Sequence, residues 1–421
     1  MTRQACYLGQ ARQGIEVHCK FDVRVREEWV TTFRMHLCIS LTFRVMAWRG
    51  FTVDGGELAG RFLRSLQPTE RKVVRRLSCL ISLEVPVSPD GLTASVVICA
   101  YTEERWDSLV TAVRSVRDQL RPADQVMVVI DHNDALLRRA VQAFPQVETV
   151  SNVAETRGIA GARNTGVHYN RCSVIAYLDD DATAEPKWLQ ELLAPYDDPA
   201  VIGTGSQIDP TWIGQRPSWF PDEFGWVVGC SYRGQPTVLA PVRNCIANGM
   251  SLKKEAFDEA GLFLTDIGRV GVVPLGCEET ELCIRVGKHF PESILLHVPT
   301  ARVHHDVPAI RLTVRYFMLR CFGEGLSKDL VSRHAGRGPA LSAEWDYTLK
   351  VLPRGVGRSL QSAARGHLSG IGKAIMIIVG FLATLVGYLG GRSGIFARFV
   401  AIWGDRSKWG RNAPRSAVPL D

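Results

Sequence analysis

The sequence predicts an α/β protein built on a mostly parallel sheet with helices on both faces. Three short apolar runs rich in β-branched residues have the length and composition of buried strands: residues 95–101, 125–130 and 173–178. After the first run, apolar residues recur at helical spacing (Leu109, Val113, Val116 and Leu120). Short buried strands that alternate with helices are typical of parallel sheets.

The composition is that of a globular protein with room for two or three domains. The 421 residues are 46% apolar and 22% charged, which excludes a disordered, collagen-like or multi-span membrane chain. The net charge of +7 favours anionic surfaces or phosphorylated ligands but is too small to predict nucleic-acid binding. The 11 cysteines show no CxxC spacing, so a reduced cytosolic setting fits better than a disulfide framework or a zinc site.

Composition divides the chain into five segments. Residues 1–90 are predicted as an N-terminal extension of unknown role, which lacks a signal peptide and closes on a turn-rich stretch. The alternating α/β pattern predicts the main domain at 91–310. We predict a basic helical region at 311–373, a hydrophobic segment at 374–390 and a basic tail at 391–421.

The hydrophobic segment, residues 374–390, is the long charge-free run of the sequence. As a helix it measures about 25 Å, the short limit for crossing a bilayer. A single C-terminal span, a segment lying in the membrane interface and a buried helix therefore remain open. Basic residues flank both ends and suit an anionic cytoplasmic leaflet. We expect the protein at the cytoplasmic face of the membrane, bound peripherally or by this segment.

Acidic residues follow each predicted strand: Glu103, then Asp131, then the triplet Asp179-Asp180-Asp181. Parallel strands bring such residues to one edge of the sheet, and unpaired carboxylates repel, so the cluster needs a cation or a hydroxylated ligand. Residues 179 and 181 point the same way in an extended chain. Their oxygens suit Mg²⁺ or Mn²⁺, which would also bridge a diphosphate. The alternative is a solvated turn before the next helix.

Three further segments carry candidate chemistry. Residues 157–166 hold two arginines and three glycines, which let guanidinium and backbone groups approach phosphate oxygens. Glu278 and Glu279 open a predicted helix and form a usable general-base site, because burial and a neighbouring carboxylate both raise a carboxyl pKa. Acids at a helix start are also common without a catalytic role. His304 or His305 could complete a metal site, although a lone histidine is more often structural.

Seven motifs, taken in order, resemble those of family 2 glycosyltransferases with the GT-A fold, a Rossmann-like, mostly parallel sheet. They are CAYTE (99–103), VIDHN (129–133), the 157–166 block, LDDDA (178–182), ANGMSL (247–252), GCEETELCIR (276–285) and VHHDVP (303–308). The similarity covers about residues 93–330. The resemblance implies an inverting transfer of a sugar from a nucleotide-diphosphate sugar to an acceptor hydroxyl, assisted by Mg²⁺ or Mn²⁺. A glycan or lipid-linked acceptor of the cell envelope is expected.

The resemblance also implies roles for individual residues. Glu279 is the expected catalytic base, with Glu278 in reserve, since the family more often has Asp at the second position. The metal ligands would be Asp181, Asp179 and His305. The nucleotide-sugar-binding residues would be Ala100, Tyr101, Glu103, Asp131, Arg163, Asp179 and Asp180.

Two other functions compete with this interpretation. A nucleotidyltransferase would also combine a parallel sheet, metal and nucleotide, but it is expected to show a Gly-rich basic loop after the first strand, where this chain has CAYTEER. A catalytically silent glycan-binding or scaffold protein of the same fold would bind a donor without turning it over.

Overall fold

The computed structural model describes residues 6–11, 14–19, 91–154, 157–267, 275–336 and 344–393. The chain divides into two compact units between Val85 and Pro86. In the first unit, strands β1 (Cys6–Ala11) and β2 (Gly14–Cys19) form an antiparallel hairpin. The remainder of the predicted N-terminal extension, and the basic tail beyond residue 393, lie outside the described residues.

The second unit is built on a nine-stranded sheet. Its strands are β3 (Ala94–Ala100), β4 (Gln125–Ile130), β5 (Glu148–Ser151), β6 (Val174–Asp179), β7 (Ala182–Ala184), β8 (Val201–Trp212), β9 (Ala240–Val242), β10 (Met250–Lys253) and β11 (Ile294–Val307). Their order across the sheet is β5-β4-β3-β6-β10-β8-β11-β7, with β9 paired to β11. The three strands predicted from sequence are β3, β4 and β6, each within one residue of its predicted bounds.

The sheet is parallel where the sequence predicted it and mixed beyond that point. Strands β5, β4, β3 and β6 are parallel, and so are β8 and β11. β10 runs antiparallel to both of its neighbours, and β7 and β9 run antiparallel to β11. Because β10 is reversed, the residues that precede it lie at the same edge as the carboxyl ends of β3, β4 and β6.

Helices cover both faces of this sheet and continue beyond it. They are α1 (Trp106–Arg117), α2 (Asp134–Ala143), α3 (Ile159–Tyr169), α4 (Trp188–Leu193), α5 (Lys254–Ala260), α6 (Glu278–His289), α7 (Val314–Ala335), α8 (Leu352–Ala364) and α9 (Ser369–Arg392). The predicted helix with Leu109 is α1, and the predicted acidic helix start is the first turn of α6.

Alternate residues of the central strand fill the two cores. On β3, Val96 and Ile98 pack with α1, α2 and α4, whereas Val97 and Cys99 pack with α3, α5 and α6. Gly166 lets α3 approach the sheet, because a Cβ there would lie 2.6 Å from a methyl carbon of Val97. This close approach matters for function, since α3 carries Arg163 to the edge of the sheet.

A third core lies under the C-terminal helices. Phe220 and Phe224 are almost fully buried against Phe317 of α7, together with Met376 and Ile377 of α9. The rings of Phe220 and Phe224 both come from the aromatic-rich segment 209–244. These two rings belong to the core.

Replacing Gly325 by Ala is expected to loosen the contact between α7 and α9. A Cβ at Gly325 would collide with the carbonyl oxygen of Thr384 and lie 2.6 Å from the backbone nitrogen of Tyr388. Forced overpacking of this kind costs about 1–3 kcal/mol, so the midpoint of urea unfolding should fall. Gly357→Ala, in the open interior of α8, is the matched control and should raise stability by about 1 kcal/mol. Equal midpoints for Gly325→Ala and the unchanged protein would contradict the close packing.

Candidate active site

The predicted site residues gather along one edge of the sheet. The backbone N–H of Asp131 donates to the carbonyl of Ala100 at 2.8 Å, which joins the ends of β3 and β4. The N–H of Asp179, at the end of β6, donates to Oδ1 of Asn248 at 3.1 Å. Asn248 stands just before the reversed strand β10, which explains how the ANGMSL segment reaches this edge.

Asp179, Asp181 and His305 form a group suited to a divalent cation. Their ligand atoms all lie within 4.8 Å of one another, and Oδ1 of Asp181 is 3.2 Å from Nε2 of His305. Two adjacent ligands of an octahedral ion, each about 2.1 Å from it, lie about 3 Å apart. Two carboxylates with one imidazole are a normal donor set for such ions. The three residues therefore fit the predicted metal.

The structure distinguishes the two histidines, of which the family resemblance favoured His305. His305 is buried beside Asp181, whereas His304 is 43% exposed and its Nε2 lies 3.0 Å from Glu185. Neighbouring residues of a strand point to opposite faces, so only one of the two can face the acidic triplet.

Two arginines that sequence reasoning missed surround the same carboxylates. Nη1 of Arg105 lies 2.9 Å from Asp180 Oδ1 and 3.0 Å from Asp181 Oδ2. Nη2 of Arg311 lies 3.6 Å from Asp181 Oδ2. Burial opposes ionisation of Asp181, but His305 and the two arginines outweigh it and hold its pKa well below the usual range. The signal for Arg105 was its place two residues after Glu103, within the rim segment CAYTEER.

Asp180, the middle member of the triplet, turns inward. It is 3% exposed, and its Oδ2 makes no hydrogen bond with any described residue. Burial raises the pKa of its carboxyl to about 7, even though Arg105 donates a hydrogen bond to Oδ1. Its predicted role in binding the nucleotide sugar stays a prediction.

The remaining predicted donor-site residues differ in what they can offer. Asp131 accepts hydrogen bonds from Nδ2 of Asn152 at 2.7 Å and from the N–H of Gly158 at 2.9 Å, so it anchors the turn that begins α3. Ala100 is 2% exposed and offers only backbone atoms. Tyr101 and Glu103 are exposed, and their side chains are available to a ligand at the rim.

Arg163 connects the candidate cation-binding group (Asp179, Asp181 and His305) to the acidic pair (Glu278 and Glu279). Its side chain is 5% exposed, with Nη1 at 2.7 Å from Glu278 Oε1 and Nη2 at 3.3 Å from Asp179 Oδ1. The sequence predicted Arg163 near the nucleotide phosphates. That role stays a prediction. In the structure, its two ion pairs hold a carboxylate of α6 beside the end of β6, which fixes the distance between the two acidic groups.

The two members of the acidic pair, Glu278 and Glu279, differ in burial and in their contacts. Glu278 is buried against Arg163, whereas Glu279 is half-buried. Burial and the neighbouring charge of Glu278 raise the pKa of Glu279, and Arg163 offsets this only in part. A carboxyl whose pKa is raised towards neutrality is a more effective proton acceptor than an ordinary surface glutamate.

A network of charges, also missed from sequence, supports the start of α6. Cys277, which precedes α6 with a left-handed φ of 75°, donates through Sγ to Glu324 of α7 at 3.2 Å. Arg320 and Lys328 pair with Glu324 at 2.8 and 3.3 Å. These cations outweigh burial and lower the pKa of Glu324 to about 2. The available signal was the spacing of four residues between these three charges in α7.

Comparisons with known proteins find similar sequences. The sequence model described as "Glycosyl transferase family 2" matches residues 95–261. Glucosyl-dolichyl phosphate glucuronosyltransferase of Haloferax volcanii is 33% identical over 243 residues, which are 57% of this chain and 77% of the relative. Polypeptide N-acetylgalactosaminyltransferase 11 of Xenopus tropicalis is 27% identical over 52% of this chain, which spans 38% of that longer relative.

Two solved structures are also similar. Mannosyltransferase PcManGT from Pyrobaculum calidifontis, in complex with GDP-Man and Mn²⁺, is 17% identical with a TM-score of 0.47, over 79% of this chain and 94% of that one. GalNAc-T7 with UDP, GalNAc and Mn²⁺ is 18% identical with a TM-score of 0.42, over 62% of this chain and 58% of that one.

The sheet, the acidic triplet at its edge and the strongly similar relative together define the protein as a glycosyltransferase. Within that class, the chain belongs to glycosyltransferase family 2. The predicted family, enzyme class and fold class are therefore confirmed.

Proposed function

We propose that the protein transfers a sugar, with inversion, from a nucleotide-diphosphate sugar to a hydroxyl of a lipid-phosphate-linked acceptor. One observation carries this proposal: a cation-binding group (Asp179, Asp181 and His305) and an acidic pair (Glu278 and Glu279) share one rim and are joined by Arg163. The name of the Haloferax volcanii relative includes dolichyl phosphate, which supports a lipid-linked acceptor.

The donor diphosphate is proposed to bind beside the end of β6. Mg²⁺ or Mn²⁺ held by Asp179, Asp181 and His305 would neutralise the charge that develops on the departing nucleoside diphosphate. Arg105 and Arg311 add positive charge at the same place. On the nucleotide side, we propose contacts with the backbone of Ala100 and with the side chains at the rim, listed as Tyr101, Glu103, Asp131 and Asp180.

Glu279 is proposed to act as the general base. Its carboxylate accepts the proton of the acceptor hydroxyl while the hydroxyl oxygen bonds to the anomeric carbon from the face opposite the diphosphate. The bond between that carbon and the diphosphate oxygen breaks in the same displacement, so configuration inverts and no covalent enzyme intermediate forms. Retaining glycosidases, by contrast, proceed through a covalent intermediate in two displacements. Arg163 holds Glu278 in place beside the base.

We also propose the domain roles and the location. Residues 91–310 would form the catalytic domain, followed by the basic helical region 311–373, the membrane-contacting segment 374–390 and the tail 391–421. Among the described residues, one helix, Ser369–Arg392, is long and apolar enough to cross a membrane. With the basic flanks, it supports association with the cytoplasmic face, where a lipid-linked acceptor would be presented.

A screen of nucleotide release tests the function. We expect one of the UDP-, GDP- or dTDP-sugars to be consumed when Mn²⁺ or Mg²⁺ and a polyprenyl-phosphate-linked sugar are present, with a product of inverted anomeric configuration. A retained configuration would contradict the single displacement. Donor binding without turnover across the screen would favour the catalytically silent alternative.

A further inference from the structure

Helix α9 presents two different faces along its whole length. Its buried side is lined largely by small residues: Gly370, Ala374, Gly380, Ala383 and Gly387. Its other side exposes large apolar side chains, each about half exposed, at alternating spacings of four and three residues: Ile371, Ile375, Ile378, Leu382, Leu385 and Leu389. One side of the helix is therefore packed against the protein, whereas the other is an apolar surface that no described residue covers.

The buried side is in continuous contact with α7. A Cβ at Gly380 would lie 2.9 Å from the ring of Phe317, and one at Gly391 would lie 3.1 Å from the side chain of Asp329. Between them, Gly387 packs against the backbone of Phe322. At the far end, Nη2 of Arg333 donates to the carbonyl of Gly391 at 2.8 Å. The two helices therefore run side by side for about four turns.

This contact opposes a transmembrane position of α9. If α9 entered the bilayer, α7 would have to enter it to the same depth. Arg320, Glu324, Lys328 and Asp329 of α7 are largely buried in ion pairs, whereas Arg315 and Arg333 are exposed. Charges inside the hydrocarbon core are strongly disfavoured unless they face a protein interior or a water-filled cavity. Moreover, α7 is tied to the acidic pair through the hydrogen bond of Cys277 to Glu324.

The C-terminal stretch that contains the exposed face is basic, which favours an anionic lipid surface. From Leu352 to Arg392, α8, α9 and their connection contain no acidic residue. The same stretch carries five basic side chains, Arg354, Arg358, Arg365, Lys373 and Arg392, of which Arg358 pairs with the buried Glu223. Basic residues beside an in-plane apolar face are the arrangement by which helices bind at the interface of anionic bilayers.

We propose that α9 docks in the plane of an anionic bilayer through the face formed by Ile371, Ile375, Ile378, Leu382, Leu385 and Leu389, and does not cross it. This inference rests on the proposed membrane association. It places α7 between the bilayer and the start of α6, so the acidic pair lies about two helix diameters, roughly 20 Å, above the membrane interface. An acceptor sugar carried on a lipid phosphate would be presented from that side.

Vesicle flotation with the full chain tests the proposal. The protein should float with vesicles of phosphatidylglycerol and phosphatidylcholine, bind weakly to phosphatidylcholine alone, and be released by an alkaline carbonate wash. The double variant Ile378→Glu, Leu382→Glu should bind at least about 100-fold more weakly, because two apolar side chains no longer enter the interface. Leu120→Glu, Val141→Glu places the same charges on similarly exposed apolar positions elsewhere and should float normally.

The outcomes separate this proposal from the proposed function. Carbonate-resistant protein with a protease-protected α9 would overturn the in-plane position while leaving membrane association intact. Failure to float, with a dimer that Ile378→Glu dissociates, would show that a second copy covers the face and would also overturn the proposal. Transfer to a short-chain, water-soluble acceptor is measured separately. The double variant should retain that activity. If the unchanged protein shows no transfer to this acceptor, the proposed function is contradicted and the docking proposal is not.

Discussion

Replacing Glu279 by Gln is expected to lower kcat by about 10²–10⁴-fold, the usual contribution of a positioned general base. The amide keeps the size of the side chain but cannot accept the proton of the acceptor hydroxyl. Donor affinity should not change, because Glu279 makes no ion pair with the arginines that surround the proposed diphosphate site in the described part of the chain. Calorimetric titration of the donor, alongside steady-state transfer, measures both quantities.

The pH dependence of the same reaction gives a second check. Because burial and Glu278 raise the pKa of Glu279, the base is protonated at acidic pH. The rate should therefore rise with pH through a range above the ordinary pKa of glutamate and level off once Glu279 is ionised. Glu255→Gln, at an exposed position of α5, is a control that should leave the profile unchanged. Wild-type turnover by Glu279→Gln would transfer the role of base to Glu278.

Replacing Asp181 by Ala is expected to abolish metal-dependent transfer. The change removes one of three ligands and leaves His305, Arg105 and Arg311 facing the site without the carboxylate that they share. We expect Mn²⁺ affinity to fall at least about 100-fold, since even loss of residues behind the ligands typically costs 10- to 100-fold. Electron paramagnetic resonance of free Mn²⁺ measures binding directly and does not depend on activity.

Glu185→Gln is the matched control for this experiment. Glu185 is also an acid and lies only four residues after Asp181 in the chain, but it contacts His304, which faces away from the acidic triplet. The Glu185→Gln variant should bind Mn²⁺ and transfer sugar as the unchanged protein does. Near-normal Mn²⁺ binding by Asp181→Ala would remove the metal site from this group, whatever the variant's turnover.

The site residues that directly follow strands could be predicted from the sequence. Asp131 and the triplet Asp179-Asp180-Asp181 come directly after apolar β-branched runs, and the edge of a parallel sheet collects such residues by geometry alone. Arg105 and Arg311 were not readable in this way. Their role depends on the angle at which a rim turn and the segment after β11 approach Asp181, and short-range periodicity contains no information on that angle.

The reversed direction of strand β10 could not be predicted from local sequence either. Its four residues, Met250–Lys253, are too few to show a period, and their direction depends on pairing with β6 and β8. That pairing brings Asn248 to the N–H of Asp179. Likewise, Arg163 was recognised as a site residue, but its ion pair to Glu278 joins segments that are 115 residues apart in the chain.

The amino-acid sequence alone determined the family, the parallel half of the sheet and the identity of the acidic and histidine side chains, because local hydrophobic periods and ordered motifs report on these directly. Only tertiary structure decided which cations surround Asp181 and against which helix the apolar run of α9 packs. Hydrophobicity predicts that a segment is removed from water, but whether it packs against protein or lipid depends on the neighbouring elements of the fold.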